Sequence, residues 1–168
     1  MELTKSGYEF GGVLVSELTK NYGTPLYVYD SDVIVNNYHS LKSAFKGVDV
    51  HLKYACKALT NINVLKILQK EGAGLDTVSI QEAKIGLKAG FKPKDILYTP
   101  NCVSFDEIKE AVELGLVINI DELGTLERFG NEYGDTVACC IRLNPHIMAG
   151  GNTHISVGHI DSKFGISI

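Results

Sequence analysis

A short apolar run, a polar residue and a segment of helical periodicity recur along the chain from residue 48 onward. The apolar runs are VDVHLKYACK, AGLDTVS, DILYTP, LVINID and TVACCIRLN. Their polar ends are 19, 22, 21 and 23 residues apart and fall at Lys57, Asp76, Tyr98, Asn119 and Arg142. This spacing accommodates one strand and one helix per repeat, so it predicts a parallel sheet covered by helices.

The segments between these runs carry helix signals. Apolar residues recur at i, i+3 and i+7 in two of them, at Ile80, Ala83 and Leu87 and again at Phe105, Ile108 and Val112. Two segments begin with a capping box, SIQE at 79–82 and SFDE at 104–107, in which the serine bonds a later amide and the glutamate reaches back. The residues before TPLYVYD are predicted to form a separate short β segment.

Two architectures fit this alternation of strands and helices. An open doubly wound sheet of about five strands could be completed in a chain of this length, whereas a (β/α)8 barrel needs about 250 residues. The chain stops in KFGISI, an apolar run with β-branched residues and no cap, and a domain rarely ends within a strand. We therefore expect an α/β fold that is the N-terminal part of a (β/α)8 barrel, incomplete in this chain.

The candidate catalytic and binding residues are those at the ends of the strands, because active sites of both architectures lie at the C-terminal ends of parallel strands. A desolvated lysine at Lys57 could form a Schiff base with an aldehyde, although an ordinary exposed lysine would also fit this position. Asp76 could equally be a turn carboxylate. Arg142 is harder to explain as surface charge, because a permanently charged group that ends a buried strand needs a phenolate, carboxylate or phosphate. Strand alternation places Lys57 on the same face as small Ala55, which leaves room for a ligand.

Net charge and composition restrict the kinds of partner that the chain is expected to bind. The net charge of −4 argues against a nucleic-acid surface, and no apolar run approaches the roughly 20 residues that span a membrane. The histidines form no compact ligand set, so we expect no metal site. The four cysteines are interpreted as buried, reduced thiols of a cytoplasmic protein.

The long polar segment 144–163 follows the fifth strand and is predicted to be an active-site loop.

Four motifs resemble the diaminopimelate decarboxylase family. They are YACKA at 54–58, GAGLDTVSIQE at 72–82, IRLNP at 141–145 and HISVGHIDSKFGI at 154–166. These enzymes are pyridoxal-phosphate-dependent decarboxylases built on an alanine-racemase-type barrel, with ornithine and arginine decarboxylases as relatives. The resemblance begins near GTPLYVYD and continues to the last residue, with the motifs in the family's order.

The resemblance implies domains and site residues. Residues 26–168 would be part of the pyridoxal-phosphate-binding barrel, and residues 1–25 a β segment associated with the family's second domain. Lys57 would be the catalytic residue and would hold pyridoxal phosphate as an aldimine. Cofactor binding would also involve Asp76 and, beneath the cofactor, Arg142. A loop that closes over a small amino-acid substrate would contain His154, Ser156 and Gly158.

The implied activity is the decarboxylation of meso-2,6-diaminopimelate to L-lysine by a cytoplasmic homodimer in its full-length form. The 168-residue chain alone is expected to be inactive, because the family's phosphate loop, pyridine-nitrogen carboxylate and catalytic cysteine follow the matched region. The alternatives are another decarboxylase of this family, acting on carboxynorspermidine, ornithine or arginine, and a non-catalytic truncated homologue. Two motifs depart from the family: ISVG replaces a frequent ISTG, and PNCVS replaces a frequent GNNKS.

Overall fold

The N-terminal fifty residues form one of two compact units in this computed structural model, which describes residues 1–147, 157–158 and 162–168. The first unit, Met1–Val50, opens with a three-stranded antiparallel sheet of β1 (Glu2–Thr4), β2 (Gly7–Phe10) and β3 (Val13–Leu14). Two helices follow, α1 (Val15–Tyr22) and α2 (Ser31–Ala44). The predicted short β segment therefore corresponds to strands β1 to β3, whereas helix α1 was not predicted.

The second unit, His51–Ile168, alternates strands and helices as the repeat predicts. Its elements are β4 (Lys53–Ala55), α3 (Ile62–Lys70), β5 (Gly74–Thr77), α4 (Ile80–Ala89), β6 (Ile96–Tyr98), α5 (Phe105–Glu113), β7 (Val117–Ile120), α6 (Leu123–Tyr133), β8 (Cys139–Ile141), β9 (Leu143–Asn144) and β10 (Ile166–Ser167). Every predicted apolar run contains a strand. Within the described residues, no helix is both long and apolar enough to cross a bilayer.

Strand order decides between the two predicted architectures. The five strands β4 to β8 are parallel and pair in sequence order, and β9 pairs in parallel with β10. Arg142 joins the two ladders, because its amide donates to Ile120 O and its carbonyl accepts from Ile166 N, both at 2.8 Å. A doubly wound sheet reverses its order at a switch point. The described strands show no such reversal, so the barrel-type winding is confirmed.

The hydrophobic core lies between the sheet and its helices. Leu75, Ile96 and Ile118 are completely buried and pack with Ala83 of α4 and Ala111 of α5. Because side chains alternate along a strand, the neighbours of these residues point to the opposite face of the sheet. We call that face, which carries the half-buried Ala55, Asp76, Leu97 and Asn119, the inner face. The apolar layer thus leaves the inner face available for polar side chains.

The two capping boxes differ in the structure. Ser79 Oγ accepts from Glu82 N at 3.2 Å, and the Glu82 carboxylate accepts from Val78 N at 2.8 Å, one residue earlier than predicted. Ser104 Oγ accepts from Glu107 N at 3.3 Å, but the Glu107 carboxylate accepts instead from the Tyr98 hydroxyl. The second box is therefore half formed. The pKa of the Tyr98 hydroxyl is raised. Burial is the larger cause, and this hydrogen bond to the Glu107 carboxylate is the next largest.

Candidate active site

A short turn, rather than the strand itself, sets the position of Lys57. Strand β4 ends at Ala55, and a single 3-10 turn, Cys56–Ala58, carries the chain past the edge of the sheet. Cys56 is completely buried and anchors this turn, whereas Lys57 is exposed. The strand alternation that was expected to orient Lys57 therefore stops two residues before it.

The three predicted cofactor-binding residues line one cavity of about 400 Å³ at the C-terminal ends of the strands. Lys57 comes from the turn after β4, Asp76 from β5 and Arg142 from the junction of β8 and β9. The remaining lining residues are Val78, Thr99, Asn101, Val157, Lys163 and Phe164. The parallel register thus brings the three predicted residues together, although Lys57 and Arg142 are 85 residues apart in the sequence.

Asp76 is held by its neighbours on the inner face. It pairs with Ala55 of β4 and with Leu97 of β6 in the parallel register. Its Oδ1 atom accepts a hydrogen bond of 2.7 Å from Thr99 Oγ1, and Asn119 Nδ2 donates to the same hydroxyl oxygen at 3.4 Å. The carboxylate therefore has a defined orientation at the edge of the cavity.

Arg142 is fixed both by its backbone and by an aromatic ring. Its guanidinium carbon lies 4.4 Å from the centroid of the Phe164 ring, within the range of a cation–π interaction. A guanidinium that lies over a ring still directs its N–H groups outward in its own plane. Arg142 is half-buried in this position and can donate hydrogen bonds to an anionic ligand.

Asn101 connects the site to the segment before β10. Its Nδ2 atom donates to Asp121 Oδ2 at 2.7 Å and to the Lys163 carbonyl oxygen at 3.3 Å. This contact holds Lys163 and Phe164 beside the loop that follows β6. The cavity consequently gains a third positive side chain, in addition to Lys57 and Arg142, and an aromatic ring.

The predicted substrate loop is described only in part. His154 and Ser156 lie outside the described residues, so their roles stay predictions, as does that of Gly158. A Cβ atom at Gly158 would lie 2.5 Å from the Ile147 carbonyl oxygen, so this position requires glycine. The adjacent Val157, where relatives often have threonine, lines the cavity that contains Lys57.

Cysteine exposure differs from the prediction. Cys56 is buried, and burial, with smaller contributions from the negative charges of Glu82 and Asp76, raises the pKa of its thiol to about 11. A thiol of this kind is unreactive at neutral pH. Cys102 and Cys140 are exposed, so the interpretation of all four cysteines as buried thiols was wrong for these two.

Sequence reasoning did not identify Thr99 or Phe164. The polar end of the third run was assigned to Tyr98, but Tyr98 is completely buried on the helix-covered face. Strand alternation could have indicated Thr99, because it is two residues after Leu97 and therefore points to the same inner face. Phe164 reaches the cavity through the pairing of β9 with β10, which no local pattern indicates.

Comparison with known proteins identifies the family to which this fold belongs. Residues 31–168 match a family described as "Pyridoxal-dependent decarboxylase, pyridoxal binding domain". The chain belongs to this pyridoxal-dependent decarboxylase family. The predicted cofactor, pyridoxal phosphate, is confirmed at the level of the family.

Relatives within the pyridoxal-dependent decarboxylase family include diaminopimelate decarboxylases. That of Methanothermobacter thermautotrophicus is 42% identical over 158 residues, which are 93% of this chain and 37% of the relative. A crystal structure of the Helicobacter pylori enzyme complexed with L-lysine has a TM-score of 0.82 and 36% identity, covering 90% of this chain and 40% of that one. The M. jannaschii enzyme in co-complex with L-lysine has a TM-score of 0.86 and 29% identity, with 99% and 41% covered. The chain thus spans about two fifths of the length of these relatives.

Proposed function

We propose that this chain is the cofactor-binding part of a diaminopimelate decarboxylase, which converts meso-2,6-diaminopimelate to L-lysine and CO2. The observation that carries the proposal is the cavity in which Lys57, Asp76 and Arg142 meet at the C-terminal ends of parallel strands. The 42% identity to a diaminopimelate decarboxylase over most of the chain supports this substrate.

The charges of the cavity fit pyridoxal phosphate. Among the described lining residues, three cationic side chains, Lys57, Arg142 and Lys163, accompany a single carboxylate, that of Asp76, so this part of the lining has a net positive charge. The cofactor has an anionic phosphate and a phenolic oxygen, which a positive cavity attracts. The primary amine of Lys57 is the group that would attach the cofactor's aldehyde.

Each residue of the cavity has a proposed role. Bound pyridoxal phosphate supplies an electron sink for the charge that stays on the substrate's α-carbon when CO2 leaves. Lys57 anchors the cofactor, and Asp76 holds a negative charge near that anchor. Arg142, whose guanidinium carbon lies 4.4 Å from the centroid of the Phe164 ring, donates hydrogen bonds to anionic groups of the cofactor or the substrate. The loop with His154, Ser156 and Gly158 closes the cavity and excludes water.

Several broader features belong to the same proposal. The complete protein works as a cytoplasmic homodimer, and residues 1–25 associate with a second, β-rich domain. Support for these features comes only from the resemblance to the family. Each can be measured separately from activity, by sedimentation, by fractionation and by limited proteolysis.

The test of the proposed function is a substrate panel with the complete protein, expressed from its full reading frame with pyridoxal phosphate. The panel contains meso-diaminopimelate, ornithine, arginine and carboxynorspermidine, and the readouts are CO2 release and the amine product. We expect L-lysine from meso-diaminopimelate. Turnover of ornithine, arginine or carboxynorspermidine in its place would contradict the proposed substrate and support the corresponding relative.

A lysine pair provides the matched control for this assay. Lys57→Arg should abolish product formation and leave the far-UV circular dichroism unchanged, because arginine keeps the charge but cannot attach an aldehyde. Lys66→Arg, at an exposed position of α3, should retain full activity. Activity that survives in Lys57→Arg would remove this residue from the mechanism.

A further inference from the structure

Asp76 belongs to a hydrogen-bonded network that crosses the inner face of the sheet. Thr99 Oγ1 donates to Asp76 Oδ1 at 2.7 Å, and Asn119 Nδ2 donates to Thr99 Oγ1 at 3.4 Å. Asp76 lies in β5, Thr99 directly follows β6, and Asn119 lies in β7. We call Asp76, Thr99 and Asn119 the inner-face network.

The direction of this network follows from hydrogen-bonding chemistry. An ionised carboxylate can only accept hydrogen bonds, so the single hydroxyl proton of Thr99 must point to Asp76. The Asn119 amide donates to the Thr99 hydroxyl oxygen. This second hydrogen bond favours the orientation in which the Thr99 proton points to Asp76. A distance of 2.7 Å to a charged acceptor belongs to the stronger class of hydrogen bonds.

The hydroxyl of Thr99 is presented from a fixed backbone. Thr99 N donates to Thr77 O at 2.7 Å, which continues the ladder between β5 and β6 beyond the last strand residue. Within the described part of the chain, Asp76 Oδ2 accepts no hydrogen bond. One carboxylate oxygen is thus fixed by Thr99, and the other is left for the cavity that Asp76 shares with Lys57.

We propose that Thr99 is a positioning residue that holds the Asp76 carboxylate in the orientation needed for cofactor attachment at Lys57. This inference rests on the proposed function, in which Lys57 attaches pyridoxal phosphate. Thr99 acts through Asp76 and not on the reacting atoms. Removal of its hydroxyl should weaken cofactor attachment about ten-fold, which corresponds to the loss of one hydrogen bond to a charged group.

The experiment compares isosteric variants of the complete protein. Thr99→Val removes the hydroxyl and Thr99→Ser keeps it. The matched control is Thr77→Val, because the Thr77 hydroxyl lies fully buried in the neighbouring strand and donates to the Leu97 carbonyl at 3.2 Å instead of to Asp76. Pyridoxal phosphate is titrated into each variant, and the absorbance of the lysine-bound form gives the dissociation constant. Borohydride reduction and peptide mass spectrometry then locate the label.

A double-mutant cycle separates positioning from a general structural role. In the wild-type background, Thr99→Val should raise the dissociation constant about ten-fold, and Thr99→Ser and Thr77→Val should change it by less than about two-fold. In the Asp76→Ala background, which removes the carboxylate acceptor, Thr99→Val should have almost no further effect, because its partner is already lost. An equal effect of Thr99→Val in both backgrounds, or no effect in either, would overturn the inference.

The remaining outcomes are also decisive. If Thr99→Val does not fold by circular dichroism, Thr99→Ala, which introduces no additional bulk, replaces it in the same cycle with the same expectations. A wild-type protein that attaches no cofactor at Lys57 overturns the proposed function, and the inference with it. A wild-type protein that attaches cofactor, combined with an unaffected Thr99→Val, overturns the role of Thr99 alone.

Discussion

Substitution of Gly86 in the middle of α4 by alanine should bring no gain in stability, although alanine is normally the better helix former. A Cβ atom at this position would overlap Leu75 Cδ2 and lie 3.4 Å from Ile96 Cδ1. Leu75 and Ile96 are both completely buried, so neither side chain can swing away into solvent. The close approach of α4 to β5 and β6 therefore depends on the missing side chain, and it fixes the strand that carries Asp76.

The expected change in the free energy of unfolding of Gly86→Ala is the sum of two opposing contributions. Replacing an interior helical glycine by alanine stabilises a helix by about 1 kcal/mol, whereas inserting a methyl group into a filled core costs about 1–3 kcal/mol. Gly86→Ala should therefore be neutral to destabilising by about 2 kcal/mol. Gly130 in α6 is the matched control, because a Cβ atom there has no neighbour within 4 Å. Gly130→Ala should stabilise the protein by up to about 1 kcal/mol.

Urea denaturation of both variants, followed by circular dichroism, measures the two free energies of unfolding. The difference between the variants isolates the packing term, since the helix propensity term is common to both. We expect Gly130→Ala to be more stable than Gly86→Ala by about 1–3 kcal/mol. A Gly86→Ala protein that is as stable as Gly130→Ala would refute the packing of α4 against the sheet.

Three further predictions concern single residues. Cys102 has a φ of 56°, so Cys102→Asn should raise the free energy of unfolding by up to about 1 kcal/mol in urea denaturation, and a loss of stability would contradict this. The raised pKa of Cys56 stabilises the fold below the ordinary thiol value of 9.0, and this contribution should be lost as the pH rises to about 11. Cys56→Ala should flatten that pH dependence in urea titrations, whereas exposed Cys140→Ala should leave it unchanged. Arg142→Lys should weaken pyridoxal phosphate binding about ten-fold in equilibrium dialysis, because lysine lacks the planar guanidinium with its several N–H donors; unchanged binding would contradict that role.

The positions of Lys57, Asp76 and Arg142 could be predicted because one physical rule governs them. Parallel strands present their C-terminal ends at one edge, so polar residues that end successive strands must meet there. The rule does not say which way each side chain points at a strand end. Tyr98 was assigned to this edge and instead faces the helices, where its hydroxyl donates to the Glu107 carboxylate.

The residues that escaped prediction depend on contacts between distant segments. Thr99 acquires its role from Asp76 and Asn119, each about 20 residues away in sequence. Phe164 lies over Arg142 only because β10 pairs with β9, and the amide of Asn101 holds Lys163 over a separation of 62 residues. The local periodicity of apolar residues does not indicate which distant residues will pair. The alternation of parallel strands and helices followed from the repeat spacing, whereas the strand order and the detailed lining of the cavity required the structure.

The most direct test of the central claim is the location of the bound cofactor. The complete protein is incubated with pyridoxal phosphate, reduced with borohydride, digested and analysed by peptide mass spectrometry. Several lysines could compete for the aldehyde: Lys57 and Lys163 line the proposed cavity, and Lys53, Lys92 and Lys94 line a different one. We expect a pyridoxyl group on Lys57 alone, with no label on that peptide in Lys57→Arg. Labelling of Lys163 or Lys53 in its place, or labelling spread evenly over exposed lysines, would contradict it.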